Sequence, residues 1–142
     1  MDFHLSRVQV WSAEIPDRAG GAASILEPLA KSDVNLEFIL TRRLGERPGR
    51  GIIFVAPITG PSQTHAAHVA GFHKSTDLVF LRIEGSDRPG LGYTLASCLA
   101  HNDINLRGMS MASVNGRFVA YVACDSSEDT AKAVQALASL QV

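Results

Sequence analysis

The order of apolar and polar positions along the chain predicts two similar sets of secondary-structure elements. Apolar runs bounded by turn residues indicate strands, and apolar positions spaced three and four apart indicate helices. The predicted strands cover residues 3–15, 35–43, 51–58, 78–84, 106–113 and 117–124. The predicted helices cover residues 20–32, 62–73, 89–101 and 128–140. Each half of the chain therefore follows the order β-α-β-β-α, which predicts the α+β class.

Local signals sharpen three of these boundaries. Pro28 lies inside the first predicted helix, where it removes a backbone hydrogen bond, so we expect it to kink or shorten that helix. Asn115-Gly116 stands between two apolar runs, which is a strong signal for a tight β-hairpin. The polar run 126–129 offers a cap and acidic side chains to the start of the last helix.

The chain repeats itself at an offset of 70 residues, the separation of Asp17 from Asp87. Identical pairs at this offset include Asp17/Asp87, Arg18/Arg88, Gly20/Gly90, Leu29/Leu99, Ala30/Ala100, Asp33/Asp103, Asn35/Asn105 and Leu36/Leu106. Two copies are too few for a solenoid, so the pattern predicts a duplicated domain. We expect a first repeat at residues 1–75 and a second repeat at residues 76–142.

Composition narrows the class of protein. The chain has 142 residues, a formal net charge of −1 and 46% hydrophobic residues, which fits a globular protein and argues against nucleic acid as the main partner. No apolar run approaches the length of a membrane span, and the first residues do not resemble a signal peptide. Cys98 and Cys124 lack the spacing of a metal site, so we expect reduced thiols and a cytoplasmic protein.

Two segments carry a resemblance to a known family. The segment Gly85–Leu91 joins a strand to a helix, and Asp103–Leu106 opens the next strand. This combination resembles the ACT domain, a regulatory amino-acid-binding module with a ferredoxin-like fold. The resemblance covers nearly the whole chain in two copies, although the first copy has Ala19 where the second has Pro89. A stand-alone tandem of this kind is similar to the glycine cleavage system transcriptional repressor type.

The resemblance implies a fold and a kind of site. It implies two βαββα repeats, an antiparallel sheet with the helices packed on one face, and ligand sites at interfaces between ACT units. The turn after the first strand would receive the ligand's carboxylate, and an asparagine opening the second strand would contact the ligand. Free helix N–H groups and an amide side chain suit those roles. The implied ligand-binding residues are Asp87, Arg88, Pro89, Gly90, Leu91 and Asn105, with Asp17, Gly20, Gly21 and Asn35 in the first repeat.

These residues also have structural interpretations. Asp17 and Asp87 can cap the helices that follow them or stabilise the turn, and Asn35 and Asn105 can bond the backbone where a strand begins. Arginines follow both aspartates, either as solvated or as paired residues. Four more cluster around the predicted hairpin turn, either as a solvated loop or as a docking site for an acidic partner or an anion. These arginines are Arg18, Arg88, Arg42, Arg43, Arg47 and Arg50.

No residue pattern predicts catalysis or a cofactor. His65 and His68 stand three apart on a predicted helix, but no acidic or cysteine ligand accompanies them, so we expect exposed helix residues and no metal site. The serine and histidine residues lack the context of a nucleophile and its base. We therefore expect a non-enzymatic protein without a cofactor.

The sequence leaves three functions to compare. The first is a cytoplasmic sensor of a small molecule, most simply an amino acid, which forms a homo-oligomer such as a dimer and signals through a regulated protein partner. The second is a ligand-free ACT module that docks a metabolic enzyme or a transcription regulator. The third is RNA binding by strand aromatics such as Phe118 and Tyr121, which the near-neutral charge disfavours.

Overall fold

The computed structural model describes residues 3–140, apart from the side chains of residues 76 and 77. The strands are β1 (His4–Pro16), β2 (Phe38–Arg43), β3 (Arg50–Ala56), β4 (His73–Ser86), β5 (Leu106–Val114) and β6 (Arg117–Cys124). The helices are α1 (Gly21–Lys31), α2 (Gly60–Ala70), α3 (Leu91–His101) and α4 (Ser127–Ala138). This order confirms the predicted α+β class and its two β-α-β-β-α sets.

The chain divides into two compact units whose limits fall inside strands. One unit is Gln9–Ser75, and the other combines residues 3–8 with residues 76–140. The beginning of β1 therefore groups with the second repeat, although it belongs to the first repeat in sequence. The division into repeats at 1–75 and 76–142 stays a prediction about domains.

The first unit is an antiparallel sheet with two helices on one face. Its strand order is β2-β3-β1, with Ile15 opposite Gly51 and Arg43 opposite Gly51 on the other side. Alternate residues of a strand lie on the same face of the sheet, and one face of this sheet packs against the two helices. The buried core consists of Trp11, Ala13, Ile15, Leu29, Ile53, Val55, Ala66, Ala67 and Phe72.

The second unit repeats this arrangement with strand order β4-β6-β5. Its core includes the buried residues Leu81, Ile83, Leu91, Leu95, Leu99, Ile104, Phe118, Ala120, Val122, Cys124, Ala133 and Leu137. Phe3 and Leu5 at the start of the chain pack against this core, and the rings of Phe3 and Phe118 meet edge to face at 5.8 Å. The chain's first residues thus complete the core of its last repeat.

Helix ends differ from the sequence prediction in two places. The helix α1 continues through Pro28 to Lys31, so of the two expected effects the shortening was wrong, and the kink stays a prediction. The helix α2 ends at Ala70 because Gly71 has φ +101° and the N–H of Phe72 returns to the Ala67 carbonyl at 2.9 Å.

Two strand starts also differ from prediction. β4 begins at His73, which was predicted to end a helix, because α2 already ends at Ala70, before the turn at Gly71. β2 begins at Phe38 instead of residue 35. The N–H of Val34 bonds the Leu29 carbonyl at 3.1 Å at the end of α1.

The turn and cap signals near the end of the chain are confirmed. Asn115 and Gly116 have φ +53° and +76°, the left-handed pair that a two-residue hairpin needs between β5 and β6. The Ser126 hydroxyl accepts a hydrogen bond from the Asp129 N–H at 3.1 Å and caps α4.

The two cysteines are free thiols. Burial raises the pKa of both Cys98 and Cys124, which keeps the thiols protonated and unreactive near neutral pH. Among the residues described, no helix combines the length and the hydropathy that a membrane span requires.

Candidate functional site

The turn between β1 and α1 is tied to the β2–β3 hairpin. The Asp17 N–H donates to the Gly49 carbonyl at 2.9 Å, and the Arg18 N–H donates back to the Pro16 carbonyl at 3.0 Å. The Gly21 N–H then donates to the Arg18 carbonyl at 3.0 Å. The backbone of Asp17–Gly21 is therefore fixed before any ligand arrives, which lowers the entropic cost of binding there.

Glycine is required at two positions of this turn. Gly20 precedes α1 with φ +85°, a left-handed conformation that side chains rarely adopt. At Gly21 a β-carbon would stand 2.2 Å from the Pro16 carbonyl oxygen. The first turn of α1 can therefore approach the end of β1 only because position 21 carries no side chain.

A cavity of about 410 Å³ opens beside this turn. Its lining residues come from the end of β1, the turn, the start of α1 and the ends of β2 and β3. They are Ile15, Pro16, Asp17, Arg18, Ala22, Thr41, Arg42, Arg43 and Gly51. This volume lies within the range of small-molecule sites, and apolar and charged groups share the lining. We call it the first-repeat cavity.

Gly51 leaves room for the first-repeat cavity because it has no side chain. A β-carbon at position 51 would lie 3.0 Å from the Arg42 carbonyl oxygen and 3.5 Å from Cγ1 of Ile15. The space between β1 and β2 at this level is therefore free of a side chain from β3. Any larger residue at this position would narrow the cavity.

An ion pair stands in the first-repeat cavity. Nε of Arg43 lies 2.9 Å from Oδ2 of Asp17, and 85% of the Arg43 side chain is exposed. Arg18 is exposed and forms no ion pair within the described part of the chain. The guanidinium carbon of Arg42 lies 5.8 Å from the ring centre of Phe54 instead. Asp17, Arg43 and Arg18 therefore supply the charges of the cavity.

The hairpin arginines partly neutralise a glutamate on β1. Arg47 donates a hydrogen bond to the Glu14 carboxylate, and Nε of Arg50 lies 3.9 Å from the same oxygen. The hydrogen bond from Arg47 is the main reason why the pKa of Glu14 is lowered. This pairing favours the structural interpretation of Arg47 and Arg50 over a free cationic docking surface.

The second-repeat turn has the same backbone plan. The Asp87 N–H donates to the Gly116 carbonyl at 2.9 Å, and Gly90 precedes α3 with φ +79°. The hydroxyl of Thr94 donates to the Gly90 carbonyl at 3.1 Å, as that of Ser24 does to Gly20 in the first repeat.

The caps of α1 and α3 are glycines without a side-chain hydrogen bond. The alternative that Asp17 and Asp87 cap these helices was therefore wrong, because the residue at the cap position is Gly20 or Gly90 in each case. Asp17 instead pairs with Arg43 across the cavity.

The surroundings of the two turns differ at three matching positions. Phe118 stands opposite Gly85 where Gly51 stands opposite Ile15. Ser113 pairs with Phe118 where Arg43 pairs with Gly51. At the third position, Leu91, which is 1% exposed, follows Gly90, whereas Gly21 follows Gly20 in the first repeat. The side chains around the two turns therefore differ in size and charge, although the backbone of the turns is alike.

The structure separates the predicted asparagines from the predicted turns within each repeat. Asn35 precedes β2, whereas the Asp17 turn lies beside the end of β2 at Arg43. Asn105 likewise precedes β5, and its amide donates to Oδ2 of Asp125 at 3.3 Å. The remaining predicted residues, Asp87, Arg88, Pro89, Gly90 and Leu91, lie together in one turn, as do Asp17, Gly20 and Gly21.

Sequence reasoning missed the residues that complete the first-repeat cavity. Thr41, Arg43 and Gly51 come from β2 and β3, and they join the turn only through the pairing of those strands. The arginine cluster was noticed as part of a hairpin. The register that places Arg43 opposite Gly51 was the information that could have linked it to the turn.

Other predicted features take simple structural roles. His65 and His68 are exposed on α2, and the His68 ring meets Trp11 edge to face at 5.3 Å. No group of three or more metal-binding side chains occurs among residues 3–140 outside the two undescribed side chains. Phe118 and Tyr121 are 3% and 6% exposed, so the strand aromatics proposed for RNA stacking are not accessible.

Comparison with known proteins supports the fold. No family model and no curated protein matches the sequence. Among solved structures, protein BT0572 from Bacteroides thetaiotaomicron is similar with a TM-score of 0.75 and 16% identity, over 94% of this chain and 88% of that one. The ligand-free regulatory subunit of aspartate kinase from Thermus thermophilus has a TM-score of 0.65 and 17% identity, over 99% and 98%.

A longer chain shows the same likeness over about a third of its length. Escherichia coli aspartokinase III, in complex with aspartate and ADP, has a TM-score of 0.60 and 16% identity, over 96% of this chain and 32% of that chain. At such identities the likeness shows the fold alone. The fold is a tandem ACT-like fold with two ferredoxin-type repeats, as the resemblance implied.

Proposed function

We propose that the protein is a non-catalytic regulatory sensor that binds an amino acid in the first-repeat cavity. The observation that carries the proposal is the meeting of Asp17, Arg18 and Arg43 at one cavity beside a fixed helix-start turn. A carboxylate finds guanidinium groups and free N–H groups of α1 there, and an ammonium finds the Asp17 carboxylate. Ile15, Pro16 and Ala22 offer apolar surface to a side chain.

The comparisons support a regulatory role by analogy. In two of the similar structures the match covers nearly the whole of the other chain. One of them is the regulatory subunit of aspartate kinase in its ligand-free form. The proposal includes a cytoplasmic protein without a cofactor, and a homodimer that acts on a protein partner. The closer likeness to the glycine cleavage repressor type is part of the proposal and rests on the tandem arrangement.

The signal would arise by linkage between ligand binding and assembly. A ligand that binds one arrangement of ACT units more tightly than another shifts the population toward that arrangement. Because Asn35 lies at the far end of β2 from Asp17, an asparagine can reach the ligand only from a different ACT unit. A second copy of the chain can supply it.

A thermal-shift screen against the twenty amino acids tests this proposal. Binding at one site adds about 2.7 kcal/mol of stability at a hundredfold excess over the dissociation constant, which is a visible shift. We expect Asp17→Asn to abolish the shift and the exposed α1 variant Glu27→Gln to retain it. The paired variant Asp87→Asn shows whether the predicted second-repeat site also binds.

The second candidate is the ligand-free interaction module, which one observation favours. β5 stands at an end of the strand order, and residues 108–116 contain no charged side chain. Met111 and Val114 on this strand are 39% and 66% exposed. An uncharged stretch of an edge strand is available for pairing with another chain. A well-folded protein that responds to no amino acid in the screen would favour this candidate.

A further inference from the structure

We infer that the first-repeat cavity selects an amino acid with an acidic side chain, of the glutamate or aspartate class. This inference rests on the proposed function, and it adds the chemical class of the ligand. Its basis is the balance of charge around the first-repeat cavity together with the difference between the two repeats.

The cavity carries one positive charge in excess. The Asp17 carboxylate and the Arg43 guanidinium neutralise each other at 2.9 Å, and Arg18 remains without an ion pair among the described residues. Arg42 does not add to this surplus. Arg42 is a lining residue of the cavity, as is Arg43, its neighbour in the sequence. The Arg42 guanidinium, however, lies over the Phe54 ring, and because side chains alternate along a strand, those of Arg42 and Arg43 lie on opposite faces of the sheet.

A ligand of matching charge satisfies all three charged groups at once. An acidic amino acid has two carboxylates and one ammonium at neutral pH, hence a net charge of −1. One carboxylate pairs with Arg43, the other pairs with Arg18, and the ammonium pairs with Asp17. A neutral amino acid leaves one arginine without a partner, and a dicarboxylate without an amine leaves Asp17 facing negative charge.

The existing ion pair does not oppose this exchange. Arg43 is 85% exposed, and exposed ion pairs contribute little to stability, so a ligand can separate Asp17 from Arg43 at small cost. A cavity of about 410 Å³ accommodates a five-carbon amino acid with water beside it.

The second repeat lacks the features on which this selectivity depends. Ser113 occupies the position of Arg43, and Phe118 occupies the position of Gly51. Its turn retains Asp87 and Arg88, one charge of each sign. The positive surplus is therefore a property of the first repeat.

Isothermal titration of the full chain with four compounds tests the inference. The compounds are L-glutamate, L-glutamine, glutarate and inorganic phosphate. We expect glutamate to bind about tenfold or more tighter than glutamine, because glutamine lacks one charge-assisted hydrogen bond. Glutarate and phosphate are expected to bind more weakly than glutamate, since neither offers an ammonium to Asp17.

Charge-removing variants assign the effect to residues. Arg18→Gln and Arg43→Gln should each weaken glutamate binding by about tenfold or more, whereas glutamine binding should weaken only in the variant that removes the arginine paired with the α-carboxylate. Both side chains are exposed, so folding should be retained. The exposed β5 variant Arg107→Gln removes the same charge far along the chain and should bind glutamate as the unmodified protein does.

The outcomes separate this inference from the proposed function. Glutamine or another neutral amino acid binding as tightly as glutamate would overturn the inference and leave the proposed function standing. Phosphate or glutarate binding as tightly as glutamate would show that negative charge alone is recognised, which also overturns it. Absence of binding by every amino acid would remove the proposed function itself.

Discussion

In the first repeat Ile15 of β1 lies opposite Gly51 of β3, and in the second repeat Gly85 of β4 lies opposite Phe118 of β6. The large and small members of this strand pair have exchanged places between the repeats. In the second repeat the large residue is buried against Phe3, whereas in the first repeat the small residue borders a cavity.

This difference shows how two similar repeats can differ in the residues beside a turn that has the same backbone hydrogen bond. The turn hydrogen bonds of Asp17 and Asp87 are the same in both repeats, because they define the path from strand to helix. The neighbouring positions are free to change, since volume gained on one strand can be balanced by volume lost on its partner. One repeat has kept a well-filled turn, and the other has an open one lined with charge.

The largest expected effect comes from removing the ring of Phe118 from the core of the second repeat. Phe118→Ala should lower the free energy of unfolding by about 3–5 kcal/mol, because Phe118 is 3% exposed and its ring packs against Phe3. Urea unfolding measures this change. The exposed residue Val114 on the neighbouring strand provides a control, and Val114→Ala should change stability by less than about 0.5 kcal/mol.

A small loss for Phe118→Ala would mean that the second repeat is not packed more tightly at this turn than the first. The contrast between the repeats would then reduce to charge. The same experiment should leave the ligand response of the first-repeat cavity in place, because none of the cavity residues contacts Phe118 through strand pairing.

An intermediate effect comes from the glycine that begins α1. Gly21→Ala should destabilise the protein by about 1–3 kcal/mol, because its β-carbon would meet the Pro16 carbonyl oxygen at 2.2 Å and the helix start must shift. The first-repeat cavity borders this helix start, so ligand affinity should fall as well. Urea unfolding and titration with the ligand measure the two losses.

A glycine in the first turn of α3 should respond in the opposite direction, although the residue that matches Gly21 in sequence is Leu91. Gly92 lies in α3 and a β-carbon there would meet nothing within 4 Å. Gly92→Ala should therefore stabilise the protein by about 0.5–1 kcal/mol, through helix propensity. Equal destabilisation by both variants would remove the claimed difference in the approach of helix to strand.

The smallest expected effect concerns the charged hairpin of the first repeat. The hydrogen bond from Arg47 lowers the pKa of Glu14, so the folded state holds this carboxylate ionised more readily than the unfolded state does. Its stabilising contribution is present above the ordinary glutamate pKa of about 4.3 and is lost as pH falls through the lowered folded value. An NMR titration of Glu14 should give a midpoint below the ordinary value for a glutamate side chain.

The variant Arg47→Gln tests the cause of this lowered pKa. It should return the Glu14 midpoint toward the ordinary value, with Arg50 at 3.9 Å retaining a part of the effect. The variant Arg117→Gln, in the hairpin of the second repeat, should leave that midpoint unchanged. An ordinary midpoint in the unmodified protein would show that solvent screens the contact completely.

The fold was predictable because its signals are local. The Asn115-Gly116 hairpin and the Ser126 cap each depend on a few neighbouring residues, and both are confirmed. The constant offset between matching residues such as Asp17 and Asp87 predicted the two repeats. The errors occurred where one residue decides a boundary, as at Gly71, whose left-handed conformation ends α2 early and starts β4 at His73.

The candidate site was only half predictable for a related reason. Gly20, Gly21 and Asp17 are contiguous in sequence, so a turn motif identifies them together. Arg43 and Gly51 reach the same place through a strand register that depends on the length of an irregular hairpin turn. Their contribution is non-local, and residue patterns alone do not fix it.

The edge-to-face contact between Phe3 and Phe118 has a consequence for how the chain acquires its structure. During synthesis Phe3 leaves the ribosome long before the strand that carries Phe118 exists. The last repeat can close its core only by joining segments from distant parts of the sequence, and contacts of such high sequence separation form slowly. A fragment cut at the repeat boundary would therefore lack part of its own interior.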